Sequence, residues 1–144
     1  MDDNWFEKEQ LHFAAQEGDL ERAKELVGNG YGVNAFGEGL SFTPLHYAAE
    51  NEHIEMMRFL LSVGVDVNAC KEEMPGETPL GHVATRCSYE VAELLICAGA
   101  NPTIPGWMQL TALYRASKRK KEEGKHIYKL LLVRIVRREG LWNV

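Results

Sequence analysis

Two stretches decide the reading of this chain: LHFAAQEGDLERAKELVGNGYGVNA, from Leu11 to Ala35, and LHYAAENEHIEMMRFLLSVGVDVNA, from Leu45 to Ala69. They align without a gap at an offset of 34, so that Ala14 pairs with Ala48, Gly30 with Gly64 and Asn34 with Asn68. A third copy, TPLGHVATRCSYEVAELLICAGANP, places Thr78, Ala84 and Gly99 at an offset of 35 from Thr43, Ala49 and Gly64. A fourth, TALYRASK, opens at Thr111, at an offset of 33 from Thr78. Self-similarity at a period of roughly 20 to 50 residues is the signature of a repeat array.

The chemistry inside each copy predicts two short helices and a loop. Thr43 and Thr78 suit the helix N-cap, and Pro44 and Pro79 follow at the first helical position, where a missing N–H is harmless. Ala48 and Ala49 keep the first helix slim enough to lie close to its neighbours. Met56, Met57, Phe59, Leu60 and Leu61 give the second helix an apolar stripe. Gly30, Gly64 and Gly99 should end the second helices, as residues free to take positive φ. A helical pair this short cannot bury its apolar face alone, so the copies must stack, with Leu60 and Leu95 between adjacent copies.

TPLH at Thr43 to His46, TPL at Thr78 to Leu80, and VNA at Val33 to Ala35 and Val67 to Ala69 closely resemble the ankyrin repeat. The resemblance covers residues 8 to 135 and agrees with that family's period of ~33 residues. It implies an all-α solenoid of stacked helix-turn-helix pairs with projecting finger loops. Residues 1–144 then form one domain, with repeats at about 5–39, 40–74, 75–107 and 108–140. It also implies protein recognition through the fingers and first helices, and structural roles for His12, His46 and His53. In the family, the histidine at the repeat position shared by His12 and His46 bonds to neighbouring loop backbone.

Departures from the pattern carry expectations of their own. The first copy has Glu9 and Gln10 in place of Thr-Pro, after Asn4-Trp5-Phe6-Glu7, which reads as a capping box in an N-terminal cap. Gly81 replaces the usual histidine in the third copy, and Pro102 and Thr103 follow Asn101, so that finger should differ in shape. KRKKEEGKH in the fourth copy reads as an insertion between its two helical parts, leaving the first helix's end longer or more mobile. Leu141 and Trp142 are expected to fold back over the outer side of the last helix.

At 144 residues with 45% hydrophobic composition, the chain fits a single domain. No unbroken apolar run approaches the ~18 to 20 residues of a membrane span, and the acidic start MDDNWFEKEQ is unlike a secretory signal. A cytoplasmic location is expected. Three cysteines, Cys70, Cys87 and Cys97, make no CxxC pair and read as reduced, semi-buried thiols. The net charge of -5 conceals an asymmetry: residues 1–100 hold 6 Lys/Arg against 18 Asp/Glu, and residues 101–144 hold 10 against 3. Such polarity concerns partners and association rates.

Chemistry-bearing patterns are weak. His82 and Cys87 are too few for a metal site. Glu72/Glu73 and Glu122/Glu123 sit in loop-like segments with nothing to shift their pKa. GNGYG at Gly28 to Gly32 follows a helix and reads as a helix stop rather than a phosphate loop. Neither catalytic, cofactor nor metal residues are assigned, and no enzyme is expected. The run Lys118-Arg119-Lys120-Lys121, with Arg134, Arg137 and Arg138, is the one nucleic-acid-like feature. Cations complementing a helix C-terminus explain it better, and acidic residues dominate the rest of the chain, so nucleic acid is not the expected partner.

The expected function is binding of another protein, inhibiting or scaffolding it. A bacterial immunity or antidote protein is one alternative, and a nucleic-acid-associated regulator is another. A monomer is expected rather than an oligomer. Mapping the family's variable positions onto this chain gives the partner-binding set Leu40, Phe42, Glu50, Asn51, Met74, Glu77, Thr85, Arg86, Trp107, Met108, Leu110, Lys118 and Arg119. For Phe42 and Leu110, packing on the next finger is the competing reading. Trp107, beside Pro105-Gly106 at a loop tip, is the leading anchor.

Overall fold

The computed structural model describes residues 4–71 and 76–140. Glu72, Glu73, Met74, Leu141 and Trp142, to which the sequence reading gave roles, lie outside them. Within the described residues the chain forms four helix pairs: α2 (Gln10–Glu17) with α3 (Leu20–Gly28), α4 (Pro44–Glu50) with α5 (Ile54–Ser62), α6 (Pro79–Val83) with α7 (Tyr89–Cys97), and α8 (Ala112–Ser117) with α9 (Glu122–Arg138). A single turn, α1 (Trp5–Lys8), precedes them, and no strand is present among the described residues. The first helices α2, α4, α6 and α8 stack in one layer, and the second helices α3, α5, α7 and α9 in the other. Leu11, Leu45 and Leu80 occupy one repeat position and are all buried, as are Met57, Leu60, Val91, Leu95, Ile127 and Leu131. The expected stripe on α5 is thus turned inward, with Phe59 and Leu61 half-buried against the core.

Helix starts follow the cap chemistry. The side chains of Thr78, Ser88 and Thr111 accept the N–H of Gly81, Val91 and Tyr114, each three residues on. At α4 the cap is reciprocal, with Thr43 and His46 bonding each other. Helix ends follow the glycines: Gly30, Gly64 and Gly99 have φ of 91°, 85° and 102°, where a Cβ would be strained. The asparagines of the loops join one copy to the next. Asn34 Oδ1 accepts the Asp66 N–H and Asn68 Oδ1 accepts the Asn101 N–H, both at 2.7 Å.

Two expectations are corrected. The capping box at Asn4 does not form: Asn4 stands at the N-cap of α1, but its side chain makes no capping bond. Nor does KRKKEEGKH lengthen the first helix. α8 ends at Ser117 and α9 begins at Glu122, one repeat period beyond the start of α7 at Tyr89, so the second helix starts in register. The extra length lies at its far end. One period beyond Gly99 the chain has Leu132, and without a residue suited to positive φ the helix runs on to Arg138 and turns at Gly140. The cysteines also differ from the semi-buried expectation at two positions, since Cys87 is buried and Cys97 exposed. Burial pushes the Cys87 thiol up to about 11, far from a reactive thiolate.

Leu60→Ala and Leu95→Ala should each cost about 2 to 5 kcal/mol in chemical denaturation, because both side chains are fully enclosed between copies. Glu93→Ala, at an exposed position of α7, should stay within ~0.5 kcal/mol. Equal effects at the three positions would contradict the stacking.

Candidate functional site

The face to be considered is built from the first helices and the loops that precede them, and two histidines fix its geometry. His46 Nδ1 accepts the Thr43 N–H at 3.0 Å, so the ring carries its proton on Nε2 and donates it to the Glu77 carbonyl of the following finger at 2.5 Å. His12 Nε2 is likewise 2.7 Å from the Ala35 carbonyl. His53 Nε2 lies 2.9 Å from the Gln16 carbonyl, so all three histidines expected to be structural lie against loop or helix carbonyls. Burial lowers the pKa of His12, and that of His46 to about 4. In the first copy Glu9 replaces the capping threonine, and among the described residues His12 Nδ1 has no bonding partner.

The third copy uses a different device. Gly81 stands where His46 stands one copy earlier, and Arg115 from α8 fills the gap. Its guanidinium donates to both Glu77 carboxylate oxygens, at 2.7 and 2.5 Å, and to the Gly81 carbonyl at 2.7 Å. Both side chains of this pair are nearly buried. A Cβ on Gly81 would lie 2.9 Å from Glu77 Oε2, and one on Gly106 would overlap the carboxylate outright, so both glycines make room for it. The second role of Glu77 is to accept the Trp107 N–H at 2.9 Å, while Arg115 also reaches the Trp107 carbonyl at 3.3 Å. Finger three is therefore pinned at the backbone of Trp107 while the indole stays outside, 54% exposed. Met108 beside it is 66% exposed, and Met108 and Gln109 hold φ of 57° and 61°, which non-glycine residues adopt at a cost.

The nominated residues separate into two groups. Leu40, Asn51, Thr85, Arg86, Trp107, Met108 and Lys118 are exposed. Lys118 holds its ammonium over the Tyr114 ring, 5.0 Å from the centroid. Glu50 is part-buried and bonds Arg86 at 2.9 Å and His82 at 3.2 Å. Despite its burial, the Arg86 bond and the nearby His82 hold its carboxyl below the ordinary value. The others point inward. Phe42 is 9% exposed, its ring stacked on His46 at 4.8 Å and 4.4 Å from His82, which shields the His46 bond to finger two. Glu77 is consumed by the ion pair. Leu110 is half-buried, and its backbone closes the finger by accepting the Gly106 N–H. Arg119 donates to the Cys87 carbonyl at 2.8 Å, lying across Gly124, where a Cβ would collide with it. Arg119 and Arg115 are thus removed from the basic surface of the C-terminal part.

Sequence reasoning missed Arg115 and the exposed aromatics Trp5 and Tyr114. The departure at Gly81 was the available signal for Arg115, since a lost histidine bond leaves a finger to be held by something else.

Comparison with known families settles the scaffold: the description for ankyrin repeats (3 copies) matches residues 11–105. The chain belongs to the ankyrin-repeat family. A search of curated proteins found no match. Ankyrin repeats generally serve as protein-interaction modules, and the family as such is not enzymatic. Among the described residues no group of three or more His, Cys, Asp or Glu could hold a metal ion, and no helix is long and apolar enough to cross a membrane.

Two outcomes follow for this ankyrin domain. The pKa of His46 is about 6.5 unfolded and about 4 folded, so the folded state binds fewer protons between those values. Stability should be complete above pH ~6.5 and fall by on the order of 3 kcal/mol as the pH drops toward 4, with His12 adding in the same direction. Urea midpoints from pH 7 to 4.5 check this, and a flat profile would contradict it. Glu77→Gln leaves Arg115 nearly buried without its counter-charge and should cost about 3 kcal/mol. The control is Glu93→Gln, and a loss at Glu77 no larger than the control's would mean that the pair does not hold the finger.

Proposed function

We propose that this ankyrin domain binds a partner protein across its fingers and first helices, with Trp107 and Met108 as the central anchors, and thereby inhibits or scaffolds that partner. The observation that supports the reading most is the way Trp107 is presented. Its N–H and carbonyl are held by a nearly buried ion pair, the two residues after it are in the left-handed region, and its indole faces solvent. A large aromatic held rigidly on the outside loses little entropy when it is buried by a partner. Exposed Tyr114 adds a further aromatic on the following first helix, Leu40 is exposed on the first finger, and Arg86 and Lys118 supply rim charge for orientation and on-rate. The nucleic-acid alternative has less to stand on, because Arg115 and Arg119 bond inside the protein.

Trp107→Ala should weaken partner binding by ~2 kcal/mol or more while leaving stability within ~0.5 kcal/mol. Affinity purification with mass spectrometry identifies the partner, and titration calorimetry with wild type and variant gives the difference. Lost stability with intact binding would make Trp107 a packing residue and sink the proposal.

A further inference from the structure

The first copy departs from the repeat pattern at Glu9, and that departure builds a pocket. The other copies have a threonine there, whose short hydroxyl turns back onto its own helix. The longer Glu9 side chain instead reaches the first finger, where Oε1 accepts the Glu38 N–H at 2.6 Å. Gly37 gives it room, since a Cβ there would lie 3.0 Å from Oε1. Trp5, Glu9, Glu38, Gly39, Leu40 and Tyr47 line the resulting cavity of about 430 Å³.

Its walls are two aromatic rings and its polar groups are two carboxylates. Trp5 is braced edge-on against Phe13 at 6.1 Å and is still 41% exposed. Among the described residues, no Lys or Arg pairs with Glu9 or Glu38. The carboxylate field reaches the aromatic wall: burial first, and then the charges of Glu9 and Glu50, raise the pKa of Tyr47. Aromatic faces attract cations through the ring quadrupole, and a planar guanidinium can stack on a ring while its N–H groups meet a carboxylate.

We infer that this pocket takes an arginine side chain of the partner protein, gripped between Trp5 and Tyr47 and paired with Glu9 and Glu38. The inference rests on the proposed recognition face, because Leu40 and Tyr47 belong to the same finger-and-helix surface as Trp107. It also specifies the partner: one contact is an exposed arginine set beside the acidic N-terminal copies, apart from the apolar contact at finger three.

The test needs no partner. Nα-acetyl-arginine methylamide, its lysine counterpart and the neutral isostere Nα-acetyl-citrulline methylamide are titrated into the full chain, followed by the Trp5 indole N–H signal in NMR. Arginine should saturate the shift, lysine should bind at least ~3-fold more weakly, and citrulline should leave the signal in place. Glu38→Gln, exposed on the finger, together with Glu9→Gln should weaken arginine at least ~5-fold, and Tyr47→Leu should do the same without charge change. Circular dichroism on each variant checks that it remains folded, and Glu38→Gln alone, expected to weaken arginine ~2-fold or more, serves if the double variant does not. Citrulline or lysine binding as well as arginine, or variants that leave the affinity unchanged, would overturn the inference. Failure here with a surviving Trp107→Ala effect on the partner would leave the proposed function intact and remove only this pocket.

Discussion

Every helix pair in this chain is too short to enclose its own apolar face, and that shortage organises the molecule. Leu11, Leu45 and Leu80 are buried only because a neighbouring first helix lies against each. Stacking supplies the burial but leaves the long loops without backbone partners, and unpaired backbone groups away from water are destabilising. The repeated polar residues answer that need. His12 and His46 reach forward to a loop carbonyl, and Asn34 and Asn68 accept a loop N–H from the copy ahead. Apolar contacts therefore set the order of the copies, and a few neutral side chains set the angle at which the fingers stand.

Within that frame the third finger is exceptional in its electrostatics. Where the other junctions use a neutral imidazole and a carbonyl, this one uses a full ion pair, with both partners withdrawn from water. A pair of this kind contributes little net stability against a hydrophobic replacement, and its value lies in fixing geometry, since either partner alone would be a buried charge. The geometry it fixes is that of Trp107. Stabilising interactions and the candidate binding group are linked through one carboxylate.

How much of this was legible in the sequence depends on whether a residue repeats. Thr43, Thr78, Gly30, Gly64 and Gly99 recur in register, and their roles as caps and stops follow from chemistry alone, whereas the paired asparagines recur too but show their bonds to the copy ahead only in the structure. What does not recur was harder to read. The length after Lys118 looked like an insertion because the missing glycine at Leu132 was hidden in an apolar run, and periodicity cannot show where a helix fails to stop. Glu77 and Arg119 were assigned to the surface because they fall at the family's variable contact positions. The partners that drew them inward, Arg115 and the Cys87 carbonyl, belong to neighbouring copies and stand far from them along the chain. Phe42 was open between two readings and lies against the histidines.

The unequal junctions also determine where the array could be lengthened. Copies two and three are wired by the His46 bond to the Glu77 carbonyl just before the next Thr-Pro-Leu, so an additional repeat carrying TPLH and a VNA loop would find matching terminals if spliced at that seam. The seam between copies three and four offers no such match. A consensus repeat placed there would part Glu77 and Gly81 from Arg115 and leave both charges without their partner. Nor can a copy simply be appended, because α9 runs on past the point where the next finger would have to spring from it. Engineered or natural variants of different length should therefore differ near the N-terminal half and share one constant C-terminal unit.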